Sequence, residues 1–304
     1  MKHINTENRN RYALITGASS GFGYEFANLF AADGYNLIIV GRNEKQLQKI
    51  TDDFKAKYDV EVTPVLKDLF DRNAAQAIYA HTKTMGINVD VLVNDAGQGQ
   101  WGMFAETDLE RDLDIIQLNV ITLLSLTKLF LKDMLARGEG KILQLASEAG
   151  KTPMPLMAVY AATKAFVISF TEALINETEN TGVSVTMLLP GASDTDFFHK
   201  AQAEKTVVYK EEELADPVEV AKAGYKGLMK GENRITIGAG AKSHVAMSAM
   251  MPDHVSAANM RKKMELSEKP DNENRREALH DPSFEERLKI VRETGELSGD
   301  YKSN

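Results

Sequence analysis

Residues 12–23 read Tyr-Ala-Leu-Ile-Thr-Gly-Ala-Ser-Ser-Gly-Phe-Gly. A short, mostly apolar run of strand character leads directly into a turn holding Gly17, Gly21 and Gly23. Glycine lacks a Cβ, so the backbone can turn tightly there and come close to a bound phosphate. From Tyr24 the pattern becomes helical, and a helix N-terminus offers unpaired N–H groups and the positive end of its dipole. Strand, glycine turn and helix in that order predict a phosphate cradle made of Gly17, Ser19, Ser20, Gly21, Phe22 and Gly23. The spacing is Gly-x-x-x-Gly-x-Gly, which departs from the common Gly-x-Gly-x-x-Gly.

The same alternation runs along the chain. Asn36–Val40, Val60–Leu66, Val89–Val93, Lys141–Leu145 and Val183–Leu189 read as buried strands, with a seventh at Arg234–Ile237. Helical patterns fill the intervals at Tyr24–Asp33, Glu44–Lys57, Asn73–Met85, Leu109–Ala136, Val159–Glu179 and about Val218 to Met229. Strands joined by helices of this length imply crossovers, hence a parallel sheet covered on both faces. The expected fold is α/β: a doubly wound, Rossmann-type parallel sheet of about seven strands, with ligands at the carboxyl ends of the strands.

The second strand ends Val40-Gly41-Arg42-Asn43. An acidic residue there would bind the 2′-hydroxyl of an NAD ribose. The chain offers Arg42 instead, whose fork of donors matches a phosphate. That reads as a clamp for the 2′-phosphate of NADP(H); the competing reading is a solvated Arg on a connecting loop.

Further along, Tyr160 and Lys164 stand four apart, thirteen residues after Ser147. One helical turn puts the phenol and the ammonium on one face. A cation about 5 Å away, at an effective dielectric near 20, favours the phenolate by about 3 kcal/mol. Such a Tyr could exchange a proton with an oxygen near neutrality. Alone, the pair reads first as an ordinary i,i+4 surface pair; the rest of the chain reverses that reading.

With these motifs in place the chain resembles the short-chain dehydrogenase/reductase superfamily, in its single-domain branch, over roughly Arg11 to Ile237. The resemblance rests on five motifs in order: the glycine turn; Asn94-Asp95-Ala96-Gly97; Asn119; Ser147 with Tyr160 and Lys164; and Pro190-Gly191 with Thr195. It implies that Tyr160 is the general acid of carbonyl reduction or the base of alcohol oxidation. Ser147 would hold the substrate oxygen. Lys164 would lower the Tyr pKa and bind the nicotinamide ribose, and Asn119 would anchor a water leading to Lys164. Asp68 and Leu69 match the family's adenine contacts, and Asn94, Ala96 and Gly97 its cofactor channel. Pro190, Gly191 and Thr195 would hold the nicotinamide carboxamide. The implied protein is an NADP(H)-dependent carbonyl reductase or alcohol dehydrogenase acting on a small molecule with apolar parts. A dinucleotide-binding regulator without turnover and an epimerase or dehydratase relative are the competing readings.

The chain also departs from the family. Asp95 stands where a second Asn is common, adding a carboxylate near the cofactor, and Ser193 replaces an Ile or Val. Glu148, beside Ser147, points either into the pocket or to solvent, with the solvent reading slightly preferred. Trp101 is read as either a pocket wall or loop packing, and Pro153–Met157 with Phe197 and Phe198 as apolar walls.

Composition sets the remaining bounds. The chain has 304 residues, 43% hydrophobic, with a net charge of −8 and no cysteine. That excludes disulfide and thiolate chemistry and argues against a nucleic-acid partner. The histidines show no paired metal-ligand spacing, and no unbroken apolar run reaches the 18 residues of a membrane span. A cytoplasmic homodimer or homotetramer is expected, paired through the two long helices at Leu109–Ala136 and Val159–Glu179. Residues 1–238 are read as one dinucleotide-binding and catalytic domain, and 239–304 as a helical, charged extension rather than a second domain. From 261 onward 21 of 44 residues are charged, which predicts a solvated tail. Within it, Ser283, Glu286, Phe284, Leu288 and Val291 predict a capped helix.

Overall fold

The computed structural model describes residues 6–238, 240–248 and 250–270. Seven strands form one parallel sheet: β1 (Tyr12–Thr16), β2 (Asn36–Gly41), β3 (Val62–Leu66), β4 (Val89–Asn94), β5 (Gly140–Leu145), β6 (Val183–Pro190) and β7 (Arg234–Ile237). Their order is β3-β2-β1-β4-β5-β6-β7. Chain direction along the sheet reverses between β1 and β4, so a crevice opens at the carboxyl ends of those two strands.

Alternate residues of each central strand face opposite layers. Ala13, Ile15, Leu37 and Ile39 join one core, while Leu14, Ile38 and Val40 join the other. Burial on both faces is why these strands read as unbroken apolar runs.

The helices follow in chain order. α1 (Gly21–Ala32), α2 (Glu44–Lys57), α3 (Ala74–Thr84), α4 (Leu109–Ile116), α5 (Leu123–Arg137) and α6 (Ala158–Glu177) are joined by two short helices, α7 (Phe197–Lys200) and α8 (Val207–Glu211). α9 (Pro217–Lys230), α10 (Ala241–Ser248) and α11 (Asp253–Met264) complete the set. Phe26 and Phe30 of α1, Leu47 and Phe54 of α2, and Leu228 of α9 fill the first core. Ile78 of α3, Leu126 and Phe130 of α5, and Leu174 of α6 fill the second. α2 keeps the predicted bounds because Asn43 accepts the Gln46 N–H at 3.0 Å, and Lys55 and Lys57 lie in its last turn.

Where the sequence predicts one regular helix, α4 and α5 are joined by a π-helical segment, Gln117–Thr122. Leu109–Arg137 and Ala158–Glu177 prove long and apolar enough, by length and composition, to cross a membrane, which the count of unbroken runs did not register. Each buries one side in the second core and carries further apolar residues on the other.

The expectation of a solvated tail from residue 261 is corrected at its start by α11; residues 271–304 lie outside the described residues. Met260 and Met264 are buried, and the N–H of Val207 donates to the carbonyl of Glu265 at 2.9 Å. Thr206 and Leu266 form an antiparallel bridge. Two apolar side chains four residues apart share a helix face and dock, despite the charges around them. The helix predicted from Ser283, Glu286, Phe284, Leu288 and Val291 lies outside the described residues.

Candidate active site

The crevice at the carboxyl ends of β1 and β4 holds a cleft of about 300 Å³. One wall is the glycine turn. Gly17 and Gly21 adopt φ of 73° and 55°, and a methyl at Gly23 would come within 2.4 Å of the Gly17 carbonyl oxygen. No larger residue fits, so the backbone lies open to a ligand. Thr16 fixes this wall to the strand 4 loop: its hydroxyl accepts the N–H groups of Asp95 at 3.0 Å and Ala96 at 3.1 Å. Ser19, Ser20, Gly21 and Phe22 line the cleft, as do Ala96 and Gly97. A turn that only glycine permits, at the start of a twelve-residue helix, can hold a pyrophosphate.

Arg42 lines the same cleft at the end of β2, together with Lys67 past the end of β3. Its guanidinium carbon lies 5.5 Å from the centre of the Phe70 ring, with that of Arg111 at 5.6 Å from the same ring. Asp68 accepts the Phe70 N–H at 3.1 Å, and the Leu69 carbonyl accepts the Thr122 hydroxyl at 2.8 Å. Both Asp68 and Leu69 reach the cleft.

Asn94 does not. Its amide donates to Thr127 and to Gln144, each at 3.0 Å, so it ties β4 to α5 and β5 behind the cleft. The expected channel-lining role is therefore corrected: Asn94 belongs to the strand, and its neighbours Asp95, Ala96 and Gly97 on the loop line the cleft.

Pro190 and Gly191 end β6 at the cleft, and Thr195 faces the glycine turn, its Cβ 3.5 Å from where a Gly21 methyl would be. Glu148 also turns inward, its carboxylate 3.3 Å from a methyl placed on Gly191, against the expectation that it faces solvent.

The predicted catalytic residues converge. Ser147 follows β5 and accepts the Ala149 N–H at 3.1 Å. Tyr160 lies in the first turn of α6, hydrogen-bonded to the Ser147 hydroxyl, with its ring 4.7 Å from that of Phe197. The Lys164 ammonium is 5.8 Å from the centre of the Tyr160 ring and donates to the Leu145 carbonyl at 2.7 Å. Asn119 sits in the π segment. It accepts the Gln98 N–H at 3.0 Å and donates to the Gln98 carbonyl at 2.9 Å and to Thr163 at 3.0 Å. A methyl at Gly97 would lie 3.4 Å from both Asn119 Oδ1 and Lys164 Nζ. A π-turn widens the helix at one point, and such turns concentrate at functional sites.

One electrostatic expectation is overturned. Burial pushes the Tyr160 phenol up to about 12; the Ser147 hydrogen bond lowers it and the Glu148 charge raises it. Burial likewise brings Lys164 down to about 8, opposed by Asp95. Asp95 itself rises to about 7, chiefly through burial. Desolvation outweighs the pairwise attraction assumed for an exposed Tyr–Lys pair.

A sequence profile described as short chain dehydrogenase matches residues 11–206. This protein is a member of the short chain dehydrogenase family. Among curated proteins, the very-long-chain 3-oxoacyl-CoA reductase of Phaeosphaeria nodorum is 39% identical over 182 residues, covering 58% of this chain and 53% of the relative. The human protein of that name is 32% identical over 187 residues, covering 59% and 58%. The chain thus spans little more than half the length of these relatives. Among solved structures, a short-chain dehydrogenase from Sphingobium yanoikuyae in complex with NADPH superposes with a TM-score of 0.71 at 27% identity, covering 79% of this chain and 93% of that one. A 7β-hydroxysteroid dehydrogenase structure gives 0.74 at 26% identity, covering 85% and 99%.

The remaining half of this dehydrogenase's cleft is apolar, walled by Met154, Met157, Phe198, Val208, Met260 and Met264. Trp101 packs behind that wall, its indole N–H donating to the Met264 carbonyl at 2.7 Å. Lys200 of α7 reaches back to Ser20 at 3.3 Å and to Asp196 at 3.5 Å. Lys200, Lys67 and Phe70 carry no signal in the sequence, because nothing local connects them to the cleft they line. Met260 and Met264 read in the sequence as helix packing or a subunit contact; they are packed on a helix, and they also line the cleft.

Proposed function

We propose that this short chain dehydrogenase reduces the ketone of an apolar substrate with NADPH, a 3-oxoacyl thioester being the leading candidate. One observation carries the reading: the hydrogen-bonded Tyr160–Ser147 pair lines the same cleft as the glycine turn and the apolar wall. Supplied there, NADPH contributes the hydride. Ser147 orients the substrate oxygen by a hydrogen bond. Tyr160, held protonated by burial, is the proton source for that oxygen as negative charge develops on it. Lys164 keeps a positive charge beside the phenol, and Arg42 with Lys67 receives the 2′-phosphate.

The names of the curated relatives support the thioester class, and the apolar wall supports a long acyl or polycyclic body. The hydroxysteroid dehydrogenase likeness keeps a steroid ketone as the second reading. In this reading α11 extends the same domain, Met260 and Met264 closing the apolar end of the cleft.

The test is NADPH oxidation, followed optically, over 3-oxoacyl thioesters of increasing chain length beside steroid ketones and short aliphatic ketones. A kcat/KM rising with acyl length supports the proposal. Activity confined to short or cyclic ketones rejects the thioester, and no oxidation with any substrate leaves a dinucleotide-binding protein without turnover.

A further inference from the structure

We propose that Asp95 is a proton-binding residue coupled to dinucleotide affinity: seating a pyrophosphate on the glycine turn draws a proton onto its carboxyl. The inference rests on the reading that this turn holds NADP(H).

Three observations lead to it. Asp95 is 9% exposed, and its Oδ1 has no hydrogen-bond partner. Its Oδ2 takes the backbone N–H of Gly23, in the first turn of α1. Methyls placed on Gly17 and Gly23 would lie 2.9 and 2.7 Å from that same oxygen. The carboxylate therefore sits against the underside of the turn whose open side fits the pyrophosphate, and both draw on the same few N–H groups and the same dipole end.

Two anions sharing one small cradle cannot both stay ionised cheaply, and the weaker acid takes up a proton. The weaker acid is Asp95. The charged groups facing it are Lys164 of α6 and Lys200 of α7, and both have other engagements: Lys164 with the Leu145 carbonyl, Lys200 with Ser20 and Asp196. Burial already places the free carboxyl's titration at about 7, and a bound pyrophosphate moves it higher. The sign follows. Below that range Asp95 is neutral and affinity is flat. Above it, binding must bring in a proton, so affinity falls by up to tenfold per pH unit. An amide at position 95 keeps the shape and removes the linkage.

The test is titration calorimetry of NADP⁺ into full-length wild type and Asp95→Asn from pH 6 to 9, in buffers of different ionisation enthalpy. The 2′-phosphate also titrates, near 6, but it is common to both proteins and cancels in the difference. Wild type should take up close to one more proton than Asp95→Asn around pH 8 and bind about tenfold more weakly there, with the two equal at pH 6. Binding with equal proton uptake and parallel pH profiles would overturn the linkage alone. Absence of dinucleotide binding to wild type would overturn it together with the reading of the turn. Should Asp95→Asn fail to fold, infrared difference spectra of wild type at pH 8 decide: a protonated-carboxyl band must appear on adding NADP⁺, and its absence rejects the proposal.

Discussion

Lys164 reaches past the phenol of Tyr160: its ammonium stops 5.8 Å from the ring centre and donates to the Leu145 carbonyl instead. Its charge is thereby held beside the proton-carrying residue without pairing with it. With the phenol raised to about 12, Tyr160 stands at neutral pH as a proton donor, which suits reduction better than oxidation.

Tyr160→Phe keeps the ring against Phe197 and removes the proton. Loss of one general acid should lower kcat by about 10²–10⁴, with NADPH affinity changed less than threefold in a fluorescence titration. Full turnover by the variant would reject the assigned role.

The pH profile should report Lys164. Its pKa is lowered to about 8, so the cation is present below that value and lost as pH rises through it. Tyr160 stays protonated throughout the accessible range. kcat for reduction should therefore be flat from pH 6 to 7.5 and fall above 8. Lys164→Arg should move that fall beyond pH 10, even at a reduced rate. A decline unmoved by Lys164→Arg would assign it to another group.

Arg42→Ala should weaken NADPH by about ten- to a hundredfold, the worth of a charge-assisted contact of 1.5–3 kcal/mol. NADH binding should change little. Equal affinity of wild type for the two cofactors would sink the 2′-phosphate assignment.

Association is the fourth expectation. Leu109, Leu113 and Ile116 of α4, Ile121 of the π segment, Leu124 of α5 and Phe166 of α6 are all exposed, and apolar side chains left on the outer side of such helices suit a subunit contact. Light scattering at micromolar concentration should give a dimer or tetramer, and Ile121→Lys with Leu124→Lys should yield the 33.6 kDa monomer. A monomeric wild type would refute it.

Trp101→Phe retains the ring and deletes the indole donor to Met264. We expect a loss of about 1 kcal/mol, seen as a Tm about 1–2 °C lower, with faster amide exchange confined to α11 and its contacts. An unchanged α11 would mean the hydrogen bond contributes nothing.

Much of this was legible in the chain because it is local. Apolar runs such as Leu37–Val40 declare strands buried on both faces, and the Gly17–Gly23 spacing declares a turn that side chains cannot occupy. What escaped depends on distant packing. Asn94 was placed in the cleft because its loop is there, yet its own strand turns it toward Thr127 and Gln144. The π-turn at Asn119 has no residue signature. The Tyr160–Lys164 estimate assumed solvent around both groups, and burial reversed its outcome. α11 itself was legible, since Pro252 divides two helical stretches before Met264 and its methionines suit packing; what the chain could not show is that Met260 and Met264 wall the cleft.

The bond from Trp101 to Met264 joins positions 163 residues apart, and this bears on the order in which the chain can assemble. Domains fold largely as the chain emerges, and distant pairings wait for their second partner. The glycine turn and β1–β4 are complete within the first hundred residues, whereas the apolar end of the cleft stays uncovered until α11 has been made. A nascent chain would thus expose Met154, Met157 and Phe198 to its surroundings from their own synthesis until α11 follows, so molecules arrested short of α11 should be the ones that chaperones hold and proteases cut.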